Sequence, residues 1–237
     1  MPLIILTGYP SVGKTTNSLK LKEWFEKKLS AQGYLGPSMK ITIVGDLSQG
    51  ISKLSYGDAL EEKKARGSII SAVERHLAKN VIVIVDSLNY IKGFRYQLYC
   101  ISRSIGTPHC VVYTAAPVEY CRQANENQLV PYSSEIFENL ITRYEEPNCS
   151  SRWDSPLFTI LQHIPEENIP FQEIWEAVIE KKAPLPNLAT AIDPVTESNF
   201  LLVLEQSTKD IIQKIMDAQN TGINVVNIPG IDSKIYL

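Results

Sequence analysis

Apolar positions along the chain alternate between short unbroken runs and spaced helical faces. Leu3-Ile4-Ile5-Leu6-Thr7 is such a run and predicts a buried strand. Gly8 to Gly13 follows as a turn-rich loop, and from Lys14 to Leu29 the pattern turns helical. Leu19, Leu21, Trp24, Phe25 and Leu29 are assigned to one broad apolar face, with lysines filling the other. After the turn chemistry of Gln32 to Ser38, Ile41-Thr42-Ile43-Val44 predicts a second strand ending at Gly45-Asp46. Ile69, Ile70, Val73 and Leu77 recur at helical spacing, so a helix is expected over Asp58 to Lys79. Val81 to Val85 is apolar at every position, as a parallel strand covered on both faces must be, and it ends at Asp86. A helix over Phe94 to Ile105 and a strand at Cys110 to Tyr113 follow. Further on, Glu119 to Asn127 and Ser134 to Tyr144 read as helices, Leu157 to Leu161 as a fifth strand, and Phe171 to Lys182 as an amphipathic helix.

Strands alternate with helices, so the class is α/β with a mainly parallel sheet. Pro184, Pro186 and Pro194 mark 183–198 as a linker between a domain at 1–182 and a tail at 199–237. The tail carries a helix at Asn199 to Gln219 and a strand candidate at Ile223 to Ile228, too little for a core of its own. Charge shifts at the same place: residues 1–182 hold 20 basic and 20 acidic side chains, residues 183–237 three and six.

Composition narrows the function classes. The 237 residues carry a formal net charge of -3, which excludes a uniformly basic nucleic-acid binder but leaves room for a local patch. The longest apolar runs are far too short to cross a bilayer, and the N-terminus lacks a basic flank, so neither a signal peptide nor a membrane partner is expected. The four cysteines show no metal or disulfide spacing, and the expected location is cytoplasmic, extending to the nucleus.

The chemistry is concentrated in Gly8-Tyr9-Pro10-Ser11-Val12-Gly13-Lys14-Thr15, which matches G-x-x-x-x-G-K-[ST] and is followed by Thr16. Glycines let backbone N–H groups close around phosphates, Lys14 supplies a point charge, and the Thr15 hydroxyl is a ligand for Mg²⁺. The following helix points its positive end at the same anion. A Gly-rich turn can match by chance, but this one directly follows an apolar strand and opens an amphipathic helix. The motif therefore predicts a nucleoside triphosphate with Mg²⁺, and that the nucleotide is ATP is implied only by the resemblance described below.

Such a loop needs an acidic metal partner at the end of a neighbouring strand, and Asp86 fits. Asp46 ends another strand at the same edge, where it orients water or acts as base toward an acceptor hydroxyl; the competing reading is an Asp that starts a turn. A mobile arginine stabilises charge during phosphoryl transfer. Arg122, in the helix after the fourth strand, ranks first by position, ahead of Arg143 and Arg152; each has the alternative of a solvated surface role. Basic clusters on the first two helices and the interleaved Tyr90, Lys92, Arg95, Tyr96 and Tyr99 are weighed as nucleic-acid contacts against solvated faces and packing.

Three stretches carry a family resemblance. They are Thr7-Gly8-Tyr9-Pro10-Ser11-Val12-Gly13-Lys14-Thr15-Thr16, the run from Ile84 through Asp86-Ser87-Leu88-Asn89-Tyr90 to Leu98, and Arg143-Tyr144-Glu145-Glu146-Pro147-Asn148 with Arg152-Trp153-Asp154-Ser155-Pro156-Leu157-Phe158. They resemble the Elongator-associated ATPases of the killer toxin insensitivity protein twelve family, relatives of O-phosphoseryl-tRNA kinase. The likeness is strong over residues 1–160 and weaker beyond the linker. It implies a P-loop kinase-like, doubly wound parallel sheet in the order 2-3-1-4-5, flanked by helices. It implies tRNA-stimulated ATP hydrolysis with Mg²⁺, and tRNA and the Elongator complex as partners in wobble-uridine modification. Lys14 and Thr15 then take the nucleotide and metal positions, Asp86 the acidic metal partner, Asp46 the presumed base, and Arg122 the lid arginine. Family members continue past a point like Tyr236-Leu237 into a basic helical segment, so residues 199–237 read as the start of a truncated C-terminal segment.

The motif leaves the fate of the phosphate open. Transfer to water, transfer to an RNA-linked or small-molecule hydroxyl, and nucleotide-gated binding with negligible turnover all use the same loop.

Overall fold

The computed structural model describes residues 2–77, 80–164, 169–180, 200–222, 225–227 and 234–236. The chain divides into two compact units, Met1–Ala191 and Ile192–Leu237. In the first unit β1 (Leu3–Thr7), β2 (Lys40–Gly45), β3 (Val81–Asp86), β4 (His109–Ala115) and β5 (Leu157–Leu161) form one sheet. Its order is β2-β3-β1-β4-β5, and every pairing is parallel. The doubly wound architecture expected from the sequence is therefore the one observed.

Alternation along the strands assigns each side chain to one of two layers. Ile4, Leu6, Ile82, Ile84, Cys110 and Val112 face Leu21 and Phe25 of α1 (Lys14–Leu29) and, further along the chain, Ile174 and Trp175. Leu3, Ile5, Val83, Val85 and Val111 face the other way. They meet Ile69, Ala72 and Val73 of α2 (Ala59–His76) and Phe94, Leu98 and Ile101 of α3 (Lys92–Ile105). Each large aliphatic side chain buried this way contributes on the order of 1.5–3 kcal/mol. A third apolar cluster joins Val12, Tyr56, Leu88, Tyr90, Cys121, Tyr132, Phe137 and Leu140, involving α4 (Val118–Glu126) and α5 (Ser134–Thr142).

Details of three elements differ from the sequence reading. On α1 the inward row is Lys14, Ser18, Leu21 and Phe25, so Leu19, rotated one position off that row, stays 55% exposed. The segment assigned to one amphipathic helix begins as α6 (Phe171–Trp175) and widens into a π-helical turn at Glu176–Glu180. Trp175 is buried there against the edge of Phe25, and Trp24 stacks on Phe171. A 3₁₀ helix at Lys53–Gly57, which no periodicity announced, precedes α2. Of the basic clusters, Lys27 pairs with Glu23 and Lys64 with Glu61 within their own helices.

The second unit holds α7 (Phe200–Thr221) and a two-stranded antiparallel hairpin of β6 (Val225–Asn227) and β7 (Lys234–Tyr236). The expected linker, 183–198, lies outside the described residues.

The Tyr–Arg interleaving after β3 is divided: Tyr90 and Arg95 are packed inside, while Lys92 and Tyr96 stay exposed. Tyr90 is buried, and Arg95 is 0% exposed. The Arg95 guanidinium donates to both Asp154 oxygens at 2.7 and 3.2 Å and to the Asn89 carbonyl at 3.0 Å. Asp154 also accepts from the Asn148 backbone N–H. This buried pair fastens α3, and through the Asn89 carbonyl the loop after β3, to the segment before β5. Removing one partner leaves an uncompensated buried charge, so Asp154→Ala is expected to lose about 3–5 kcal/mol of stability. Urea denaturation measures it; a loss near that of an exposed ion pair would show the pair to be unimportant.

Candidate nucleotide-binding site

Because β1 and β3 are adjacent and parallel, Gly8 and Asp86 emerge at the same sheet edge. The loop at Gly8 passes so close to β4 that a Cβ there would stand 2.3 Å from the Thr114 carbonyl oxygen, and its φ is +151°. Gly45 is equally constrained: a Cβ would stand 2.0 Å from the Asp86 carbonyl oxygen. These close approaches bring the phosphate loop and the ends of β2 and β3 to one place. Ser11 takes a left-handed φ of 62°, and its hydroxyl donates to Asn125 Oδ1 at 3.0 Å. No side chain caps the amino end of α1, so its first N–H groups remain available to an anion.

Lys14 is only 8% exposed. Its ammonium donates to the Gly8 carbonyl at 3.0 Å and the Tyr9 carbonyl at 2.6 Å, and it makes no ion pair among the described residues. Burial lowers its pKa to about 8, against the opposing pull of Asp86 and Asp46. The carboxylates are held by hydroxyls. Ser18 Oγ donates to Asp86 Oδ2 at 3.2 Å. Ser87 Oγ donates to Asp46 Oδ1 at 2.6 Å and Tyr56 Oη to Asp46 Oδ2 at 2.7 Å. Burial pushes both carboxyls above their usual range, more than these hydrogen bonds, a further one from Thr15 to Asp86, and the Lys14 charge draw them down. The Asp46 N–H donates to the Asp86 carbonyl at 3.3 Å, so the two acids are neighbours.

A cleft of about 500 Å³ opens between these groups. Ser11, Val12, Gly13, Lys14, Thr15 and Thr16 line one side, with Asp46 and Asp86; Lys53, Tyr120, Gln128 and Tyr132 are among those facing them. Gly8, Tyr9 and Pro10, also expected at the nucleotide, are not among the residues that line the cleft, and the Tyr9 ring meets Tyr144 at 4.8 Å. Thr15 and Asp86 offer hard oxygen donors to the same space, the donor chemistry that suits Mg²⁺.

Arg122 stands apart from this group. It is bound to Glu138 at 2.8 Å and to Glu119 at 3.7 Å, while α4 turns Tyr120 and Ala124 to the cleft. Positions two apart on a helix face different directions, which keeps Arg122 off that wall in this arrangement. Arg143 donates to Glu62 and to the Tyr56 carbonyl, and Arg152 is exposed.

Four residues were not singled out for these roles from the sequence. Ser18 lies one helical turn after Lys14, a spacing that could have flagged it. Ser87 follows Asp86 directly. Asn89 joins two strand ends by donating to the Leu6 carbonyl at 2.7 Å and the Val85 carbonyl at 3.3 Å. Tyr56 gave no sequence signal, because its placement depends on the 3₁₀ helix.

The depressed Lys14 pKa makes two processes pH-dependent. Between about 8 and 10.5 the folded chain binds fewer protons than the unfolded one, so this group makes stability rise with pH across that window. A phosphate beside Lys14 favours the ammonium and reverses the shift. ATP binding near pH ~9 is therefore expected to take up a proton at Lys14, an uptake absent near pH ~7 and in Lys14→Ala. Calorimetry in buffers of different ionisation enthalpy reads this directly, and equal proton uptake in Lys14→Ala would refute the assignment.

Comparison with known proteins agrees with this geometry. The family model described as "Chromatin associated protein KTI12" matches residues 1–236. Protein kti12 of Schizosaccharomyces pombe is 44% identical over 237 residues, covering 100% of this chain and 83% of that protein. Protein KTI12 of Saccharomyces cerevisiae is 42% identical over 238 residues, covering 92% of this chain and 74% of that protein. The crystal structure of Chaetomium thermophilum Kti12 in complex with ADP-AlF3 is 39% identical. It has a TM-score of 0.67 and covers 75% of this chain and 99% of that one. A gluconokinase from Sinorhizobium meliloti, 15% identical with a TM-score of 0.51 over 75% of this chain and 89% of its own, shares the fold alone. The sheet order, the phosphate loop and these relatives together show a nucleotide-binding P-loop protein that belongs to the KTI12 family.

Proposed function

We propose that the chain is a Mg²⁺-dependent ATPase stimulated by tRNA, acting in support of Elongator-dependent wobble-uridine modification. The observation that carries the phosphoryl-transfer part is the meeting of Lys14, Asp46 and Asp86 in one cleft with the phosphate loop. Kti12 of C. thermophilum was crystallised with ADP-AlF3, in which aluminium fluoride stands in for a phosphoryl group in transfer. The tRNA and Elongator parts rest on the family resemblance. In this reading residues 1–182 carry the nucleotide chemistry, 183–198 are a linker, and 199–237 begin a C-terminal helical segment. The family model's chromatin description supports the nuclear part of the expected location, while the cytoplasmic part rests on the sequence reading alone.

Loop N–H groups and the amino end of α1 bind the phosphates, and Lys14 moves its hydrogen bonds from the Gly8 and Tyr9 carbonyls to phosphate oxygens. Thr15 and Asp86 would hold Mg²⁺, which when bound neutralises phosphate charge. Asp46, with both oxygens engaged by hydroxyls, faces the cleft as the group that orients the attacking oxygen. Arg122 would reach the transferring group only after leaving Glu138. A kinase acting on an RNA-linked or small-molecule hydroxyl is the second reading. The same Asp46 favours it, since a buried carboxylate with a raised pKa suits a base toward a hydroxyl.

The deciding experiment follows γ-labelled ATP, with Mg²⁺ and bulk tRNA, into free phosphate and into RNA. Free phosphate is expected, rising with tRNA, and Lys14→Ala is expected to lose turnover by at least about 10²-fold with the fold retained. Label in RNA would establish the kinase reading. No turnover with any tRNA would leave a nucleotide-gated binding module, and unchanged turnover in Lys14→Ala would sink the site assignment.

A further inference from the structure

We infer that Tyr56 is a positioning residue for Asp46, held in place by the buried Glu62 and its half-exposed partner Arg143, a pair that links the reacting edge of the sheet to α5. The inference deepens the phosphoryl-transfer reading and rests on it.

Asp46 immediately follows β2, where backbone geometry alone would leave its carboxylate free to rotate. Two hydroxyls remove that freedom, Ser87 on Oδ1 at 2.6 Å and Tyr56 on Oδ2 at 2.7 Å. The Tyr56 and Ser87 oxygens are themselves 3.3 Å apart, so the three groups form a closed triangle. Ser87 is fixed by its place after β3. Tyr56 comes from a five-residue 3₁₀ helix, Lys53–Gly57, which has little stability of its own. Its position must therefore be imposed from outside.

The outside support is specific. Arg143, at the carboxyl end of α5, donates to the Tyr56 carbonyl at 3.4 Å and to Glu62 Oε2 at 2.9 Å. Glu62 is 2% exposed, a carboxylate buried on α2. Tyr90 donates to its other oxygen at 2.5 Å, Arg66 also reaches it, and the Arg143 guanidinium lies over the Tyr90 ring at 5.3 Å. A buried acid satisfied by three donors is a rigid anchor, costly to disturb. Ser52 caps the 3₁₀ helix and Asp58 caps α2 directly after it, which fixes the segment at both ends. The Tyr56 ring packs at 6.4 Å from Tyr132, which itself lines the cleft. Every link thus serves to aim one phenol hydroxyl at one oxygen of Asp46.

The test is Tyr56→Phe, which keeps the ring and removes only the donor. With Mg²⁺-ATP the expected result is a kcat about tenfold lower with KM and ATP affinity unchanged, because the hydroxyl aims Asp46 and does not bind nucleotide. In an Asp46→Asn background the same substitution is expected to cause no further loss. A wild-type kcat for Tyr56→Phe, the same fold-loss in both backgrounds, or a loss of ATP affinity would each overturn the inference, the last by showing a structural role. Asp46→Asn alone separates the two levels: full turnover there would refute the role given to Asp46, and the inference with it. A large loss in Asp46→Asn with none in Tyr56→Phe would refute the inference only.

Discussion

The whole site depends on β1 being the central strand of a parallel sheet. All five of its residues are buried, and it is paired on one side with β3 and on the other with β4. Parallel pairing sends every strand to the same edge, so the carboxyl ends of β1, β2 and β3 arrive together whatever their separation in sequence. The close passage of Gly8 under the Thr114 carbonyl and of Gly45 beside the Asp86 carbonyl then sets the spacing of the loop and the two acids. Packing on both faces of the sheet makes that edge rigid, and rigidity allows charged groups to be placed with little reorganisation left for the reaction.

Electrostatics in the cleft follow from how those charges are kept. An ammonium and two carboxylates share a partly buried space, yet none of the three pairs directly with another. Lys14 uses neutral loop carbonyls, Asp86 a threonine and a serine hydroxyl, and Asp46 a serine and a tyrosine. Direct ion pairs would have quenched the groups against one another, and a nucleotide would then have to break them. Neutral partners offset part of the desolvation cost while leaving each charge able to respond to an incoming phosphate. The raised carboxyl pKa values and the lowered Lys14 pKa are the signature of that arrangement, with burial the largest cause in all three.

The sequence made the nucleotide side of this cleft readable because that side is local. Residues Gly8 to Ser18 lie within one strand–loop–helix unit, and Leu3 to Leu6 and Val81 to Val85 announce their strands by composition alone. Sheet order was legible once the loop, the strand ending at Asp86 and the family resemblance were combined. Hydrophobicity alone puts Leu19 on the inward face, but near the loop α1 buries the polar Asn17 and Ser18 instead. Arg122 ranks first by its place in the helix after the fourth strand, whereas the direction of a side chain on α4 is set by which neighbours face the sheet. Tyr56 and the Glu62–Arg143 anchor were illegible for a further reason. Arg143 and Glu62 are 81 positions apart in sequence, and only tertiary packing brings them into contact.

That contrast has a consequence for how such a protein can vary. The phosphate side is one contiguous segment whose residues are tied to each other, so most changes there strike the loop itself. The opposite wall is assembled from separate pieces: the 3₁₀ helix, α4 and the segment leading to α5. Lys53 crosses between them, donating to Gln128 and to the Val130 carbonyl at 2.5 Å and lying 4.7 Å over the Tyr132 ring. A wall of this kind can be reshaped piece by piece while the loop, Lys14 and Asp86 stay in register.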